Sequence, residues 1–338
     1  MMSTVETEFE RFLDGHDEAD WAATLSELLP AIHEVDRNAT RVWFAFFPLA
    51  LQRALAQSDD PERLAQKLLL QGRYRLKDQI DTAHTFVYGH RFWPEVKGAV
   101  AAHAAAFDAR APLAAQIRDV ARAAAAPRRA DESLLVGITA VAFMTVQQVG
   151  LAAFKATPGA VALDAKQARR TPEQVLAARA RDDSQGLFGF LRTTDKRWTV
   201  VWDENEPTAR FQMINEQEVA SAAATDKRDW WQRDPRCTVG EGPIPVQCRS
   251  ASCGTCWVGV LGGAEKLSAV AERERKALRL FGYVDTDEPR PLIRLSCQAR
   301  GTGALSVVIP PWNGVFGKYL RAQREQQPTE QEAVEAGA

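Results

Sequence analysis

The sequence predicts an α+β multidomain protein, with an all-α N-terminal domain followed by a smaller domain of mixed helix and strand. Three observations predict it. Residues 1–185 are dominated by Ala, Leu, Arg, Glu and Gln, with no stretch alternating at period two. Strand-like runs begin only at Trp198. All five cysteines fall between residues 237 and 297.

Taken in order, helices are expected at about 19–37, 40–57, 61–71, 73–88, 95–109, 112–126, 132–156 and 172–181. Stop signals separate them at Asp60-Pro61, Gly89, Pro127 and Pro158-Gly159. Thr171-Pro172-Glu173-Gln174 unites an N-cap, a proline at the first helical position and a capping-box glutamine. Leu134 to Phe154 is long and apolar enough to resemble a membrane span. Gln147 and Gln148 lie within it, so a buried central helix is the better expectation and no membrane span is expected.

A composition change near Asp182–Gly186 marks a linker, set at 186–197. Beyond it, Trp198–Trp202 and Ala209–Ile214 read as paired strands around a turn-rich Asp203–Pro207. A helix is expected from Glu216 to about Arg233, strands at Trp257–Leu261 and Leu305–Ile309, and a charged helix at Ala271–Leu280. Residues 198–312 thus form the second domain, and 313–338 a polar tail expected to be disordered.

The formal net charge of −2 argues against nucleic acid as a partner. The N-terminus lacks the basic and apolar regions of a secretory signal. An odd, clustered cysteine count points to a metal or redox site in a reducing, cytoplasmic setting rather than to disulfides. There is no G-x-G-x-x-G or G-x-x-x-x-G-K-[ST] loop, so the chain is not expected to take electrons from a nicotinamide unaided.

The spacing Cys248-x4-Cys253-x2-Cys256, with 40 residues between Cys256 and Cys297, is the plant-type pattern for a [2Fe–2S] cluster. Two irons bridged by two sulfides need four thiolates, three from one loop and a fourth from a distant segment that locks the loop to the domain. Zinc is the alternative for four clustered cysteines, but structural zinc favours paired C-x2-C knuckles and here there is one. Cys237 falls outside the pattern and is expected to be a structural or surface thiol.

These residues resemble the [2Fe–2S] ferredoxin family. Cys-Gly-Thr-Cys at 253–256 followed by Trp-Val-Gly-Val-Leu, Arg-Leu-Ser-Cys-Gln at 294–298, and the approach Gly242–Cys248 carry the likeness. The long interval before Cys297 is closer to adrenodoxin-like domains than to chloroplast ones. The resemblance implies a β-grasp fold with Cys248, Cys253, Cys256 and Cys297 as cluster ligands. One departure is Ala251, where the family usually has glycine.

Such a cluster implies one-electron transfer with a redox protein partner, a reductase or an acceptor enzyme, docked by the helical domain. Residues 198–312 carry 15 acidic and 14 basic side chains, so the domain lacks the strong acidity that steers freely diffusing ferredoxins and suits a captive relay. A redox sensor, in which the cluster state controls the helical domain, is the rival. An enzyme with a metal or haem site in the helical domain is the third reading. It rests on Asp81, His84 and His90: Asp81 and His84 share a helix face if 73–88 is helical, and Gly89 can turn His90 back toward them. His103 is a further candidate haem ligand.

Overall fold

The computed structural model describes residues 7–161, 163–181, 196–284 and 286–326. The N-terminal half carries α1 (Glu8–Asp14), α2 (Glu18–Leu28), α3 (Glu34–Phe46), α4 (Leu49–Ala56), α5 (Pro61–Lys67), the two-residue strand β1 (Gln71–Gly72), α6 (Trp93–Ala105), α7 (Leu113–Ala125), α8 (Ser133–Val149), α9 (Leu151–Ala156), α10 (Ala165–Ala168) and α11 (Pro172–Ala180).

Helix α8 is the axis of this half. Every residue from Leu135 to Val146 is buried, and α1, α3, α6 and α7 pack around it. Both of its terminal glutamines hydrogen-bond inside the protein, while Gln148 Oε1 stays buried with no partner among the described residues. Gln147 accepts from Trp21 Nε1 at 2.6 Å and donates to the carbonyls of Leu13 and His16, and Gln148 donates to Phe47 O at 2.8 Å. Gly150, at φ +83°, ends the helix and separates α9 from it. Among the described residues no helix is long and apolar enough to cross a membrane.

The helix expected at 73–88 is absent. Short 3-10 turns at Leu76–Asp78 and Tyr88–Phe92 flank a run of turns. Carboxylates capture the backbone here. Asp36, fully buried on α3, accepts from Tyr88 N at 2.6 Å and Gly89 N at 2.7 Å. Such side-chain acceptors offer the chain an alternative to helical hydrogen bonds.

Burial is the largest influence on the Asp36 carboxyl and outweighs those two N–H donors, raising its pKa from 3.8 to about 6. The folded chain therefore holds the Asp36 proton more tightly than the unfolded chain. The stability this contributes is complete below pH 3.8 and lost as pH rises through about 6. Relative to Asp36→Asn, the wild type should gain thermal stability as pH falls from about 7 to about 4. A difference between their melting temperatures that is constant across that range would contradict this.

The C-terminal half carries β2 (Arg197–Val201), β3 (Arg210–Ile214), α12 (Val219–Ala223), β4 (Trp257–Gly262), α13 (Glu272–Phe281), β5 (Ile293–Leu295), β6 (Leu305–Val308), β7 (Trp312–Asn313) and α14 (Gly317–Gln326). Five strands form one sheet in the order β3-β2-β6-β4-β5, with β2 and β6 parallel and the other pairs antiparallel.

Two details depart from the expectations. The helix expected from Glu216 to Arg233 stops at Ala223. Asp226, Asp229 and Asp234 each accept from the backbone N–H two residues on, which folds the segment into successive turns. Part of the expected tail is ordered: Trp312-Asn313 pairs with β1, and α14 follows and packs on α13. Residues 327–338, and the linker up to residue 195, lie outside the described residues.

One hydrophobic core runs through both halves. Helix α3 lies against β4 at Gly259, where a Cβ would come within 2.2 Å of Val42 Cγ1. Trp312 Nε1 donates to Phe46 O at 2.7 Å, and Trp257 Nε1 to Trp312 O at 2.7 Å. Buried Arg179 on α11 grips Glu204 through Nε and Nη2 at 2.6 and 2.8 Å and donates to Val35 O.

Candidate metal centre

The segment from Cys237 to Cys256 crosses the end of the sheet without regular structure. Its path is set by backbone conformation. Gly242, at φ +83°, passes so close to α12 that a Cβ would lie 2.0 Å from Ala223 O. Beyond Cys248, Arg249, Ala251 and Gly254 all have positive φ, at 52°, 57° and 73°. Alternating conformations of this kind turn successive N–H groups toward one side, a concavity suited to an anion. Ser250 N and Ser252 N accordingly donate to Cys248 Sγ at 3.4 and 3.3 Å.

The thiols influence one another as near neighbours, Cys253 drawing the Cys248 pKa down and Cys256 that of Cys297. Ala251 N, from the first pair's loop, also reaches the Cys297 sulfur and joins the two pairs. Cys253 Sγ lies 3.2 Å from Thr255 Oγ1, and Gln298 Nε2 donates to Cys297 Sγ at 3.4 Å. Burial pushes the Cys248 thiol up, but the N–H groups of Ser250 and Ser252 and its Cys253 neighbour outweigh it and bring the pKa to about 7. The hydrogen bond from Cys256 draws Cys297 down to about 6 and keeps the proton on buried Cys256. Cys248 and Cys297 thus favour the thiolate, the form that iron binding requires.

The fourth cysteine is positioned from behind. Ser296 N donates to Cys256 O at 2.9 Å, and Ala220 N to Ser296 O at 2.9 Å. Glu274 on α13, 1% exposed, accepts from Leu295 N at 2.9 Å and from Arg294 Nε and Nη2, both at 2.8 Å. Tyr283 stacks on Trp257 at 3.9 Å, and its hydroxyl lies 2.8 Å from Gly254 O. Neither Glu274 nor Tyr283 carries a signal in the sequence, because each acts through tertiary contact alone.

Ala251 adopts the left-handed conformation in which a glycine costs nothing and an L side chain is strained. Ala251→Gly should therefore stabilise the chain by about 1 kcal/mol, read as a raised urea midpoint. An unchanged or lowered midpoint would show that this loop carries no such strain.

The donor set fits a two-iron cluster. A single zinc needs four ligands around one ion. Two pairs of thiols linked by one loop match two irons taking two thiolates each. Ser296 Oγ is buried beside Cys297 with no hydrogen-bond partner among the described residues, a polar atom left available to a sulfur-rich neighbour. Cys237 stands apart: it is buried, its Sγ donates to Pro243 O at 3.3 Å, and burial pushes it up to about 12.

Asp81, His84 and His90 come close together but into other roles. Asp81 accepts from Trp93 Nε1, Lys97 Nζ, Thr157 Oγ1 and Gly159 N, all within 3.2 Å. Its carboxylate is therefore committed to joining the 73–88 turns to α6 and the segment after α9. His84 Nδ1 and His90 Nδ1 share a hydrogen bond at 2.9 Å, and His84 Nε2 bonds to Ile80 O. Burial lowers the pKa of both, that of His90 to about 4, so the pair is neutral. His103 bonds to Gln116 Oε1 and is packed among Phe9, Phe107 and Phe143. Asp81 and His84 are taken up in this hydrogen-bonded packing, while His90 Nε2 is buried with no hydrogen-bond partner among the described residues. Asp287 and Glu288, acidic residues ahead of Cys297, are paired with Arg279 and Arg41.

Residues 238–302 match the family model of the 2Fe-2S iron-sulfur cluster binding domain, a stretch that includes Cys248, Cys253, Cys256 and Cys297 and leaves out Cys237. This part of the chain is a 2Fe-2S cluster-binding domain, and the cluster is its cofactor. The N-terminal region matches no family model, and no curated protein or solved structure matches the chain.

Proposed function

We propose that the protein transfers electrons one at a time to or from a redox protein partner, through a [2Fe–2S] cluster held by Cys248 and Cys253 on one iron and Cys256 and Cys297 on the other. The observation that carries this is that residues 238–302, with Cys248, Cys253, Cys256 and Cys297 at plant-type spacing, match a 2Fe-2S cluster binding domain. Bound there, a four-thiolate [2Fe–2S] group supplies a reversible one-electron couple and no open coordination position.

The chain's own residues do the rest. The N–H groups of Ser250, Ser252 and Ala251, together with Thr255 and Gln298, direct hydrogen bonds at the sulfurs, which eases the added negative charge of the reduced state. Cys256 and Cys297 are closed off from solvent, whereas Cys248 and Cys253 are half-buried and Arg249 and Ser252 exposed. A partner would therefore approach along the Arg249–Ser252 edge. The balanced charge of residues 198–312 supports a dedicated partner over a freely exchanging one.

Anaerobic titration with dithionite tests the reading. Visible bands between about 400 and 600 nm should bleach with one electron per chain and return on reoxidation. A chromophore that accepts no electron, or is destroyed by one cycle, would overturn it.

A further inference from the structure

A cavity of about 530 Å³ lies in the seam between the helical half and the sheet. That volume is in the range of sites for small organic ligands. Its wall is aromatic on both sides, with Phe46 and Phe86 from the helical half and Trp202 and Trp230 from the other. The two indoles meet edge-on at 4.9 Å, and the two phenyl rings lie 5.7 Å apart.

The polar groups of this wall are unbalanced in one direction. Trp202 Nε1 and Arg236 Nη1 are buried with no hydrogen-bond partner among the described residues, and both are donors. Trp202 and Arg236 are 5% and 9% exposed. The carboxylates of the wall are engaged: Asp203 with Arg233, Glu204 with Arg179, Asp234 with Arg236. A ligand that completes this wall is flat, aromatic and equipped with hydrogen-bond acceptors rather than donors.

The cavity is also joined to the cysteine loop by a run of rings. Trp257 follows Cys256 directly and stacks on Tyr283, whose hydroxyl reaches Gly254 O. Trp257 lies 5.1 Å from Phe46, which forms the cavity wall together with Phe86.

From these features we propose that the cavity binds a planar quinone, and that this quinone accepts electrons from the domain. The acceptor role rests on the electron-transfer reading above; the binding site does not. Two electrons delivered singly, with two protons from water, convert the quinone to its hydroquinone. The electrons come from a low-potential protein donor at the Arg249–Ser252 edge.

The test uses the full-length holoprotein and anthraquinone-2-sulfonate as probe. Calorimetric titration of the oxidised protein should show saturable binding to one site. Thr82→Trp, at the exposed rim, should weaken binding at least about tenfold and leave the visible spectrum unchanged. Trp202→Phe, which keeps a ring and removes only the N–H, should weaken it less. No binding heat, or equal affinity in all three proteins, would overturn the site. In stopped flow, reoxidation of dithionite-reduced protein should saturate with probe at the calorimetric dissociation constant. A linear dependence shared by Thr82→Trp would overturn the acceptor role. Binding by a protein that cannot be reduced would leave the site standing and defeat the electron-transfer reading instead.

Discussion

Cys297→Ser lowers the visible absorption of the purified protein more than about tenfold, while Cys237→Ser leaves it at full strength. The contrast follows from where each sulfur sits. Cys297 reaches the loop from the turn that follows β5, neighbours Cys256, and receives N–H groups from both Ala251 and Gln298. Without that thiolate one iron keeps a single protein ligand. Cys237 is equally buried but its thiol donates to Pro243 O, and burial holds it protonated up to about 12. Far-ultraviolet circular dichroism should be nearly unchanged in both variants, because the helices pack around α8 rather than around the cysteine loop. Loss of colour in Cys237→Ser, or its retention in Cys297→Ser, would mean the ligand set is different.

Glu274→Ala should destabilise the chain by about 3–5 kcal/mol. The Arg294 and Glu274 side chains are 0% and 1% exposed, and removal of the carboxylate leaves a guanidinium buried with one remaining acceptor, Ser268 O. It also frees Leu295 N, two residues before Cys297, so the fourth ligand loses its support from α13. Two readouts should move together: a lower urea midpoint, and faster loss of visible absorption on warming. Glu274→Gln retains one acceptor and should fall between. A cost below about 1 kcal/mol would show that water reaches this pair and that the clamp does not position Cys297.

What the sequence discloses about this protein follows the range of the forces involved. The iron centre is legible because thiolate ligation fixes residue type and spacing together, and Cys248-x4-Cys253-x2-Cys256 has few other uses. Helices α7, α8 and α11 are legible because their periodicity and end signals are local. The segment 73–88 misleads for the opposite reason. Its composition suits a helix, but Asp36, more than 50 residues away in sequence, takes the Tyr88 and Gly89 N–H groups. The same turns draw His84 and His90 together as a neutral pair rather than as ligands. The seam is hidden for a related reason. Nothing near Gly259 announces that Val42 will lie against it, yet that close approach joins the core of the helical half to that of the sheet and leaves the aromatic cavity between them.

The central claim is that four cysteines hold two irons as a sulfide-bridged pair, and metal analysis of anaerobically purified protein tests it most directly. The account predicts two irons and two acid-labile sulfides per chain, both lost in Cys297→Ser and both retained in Cys237→Ser. One zinc per chain with no labile sulfide would contradict it, and the four thiols would then be a structural knot rather than a redox centre.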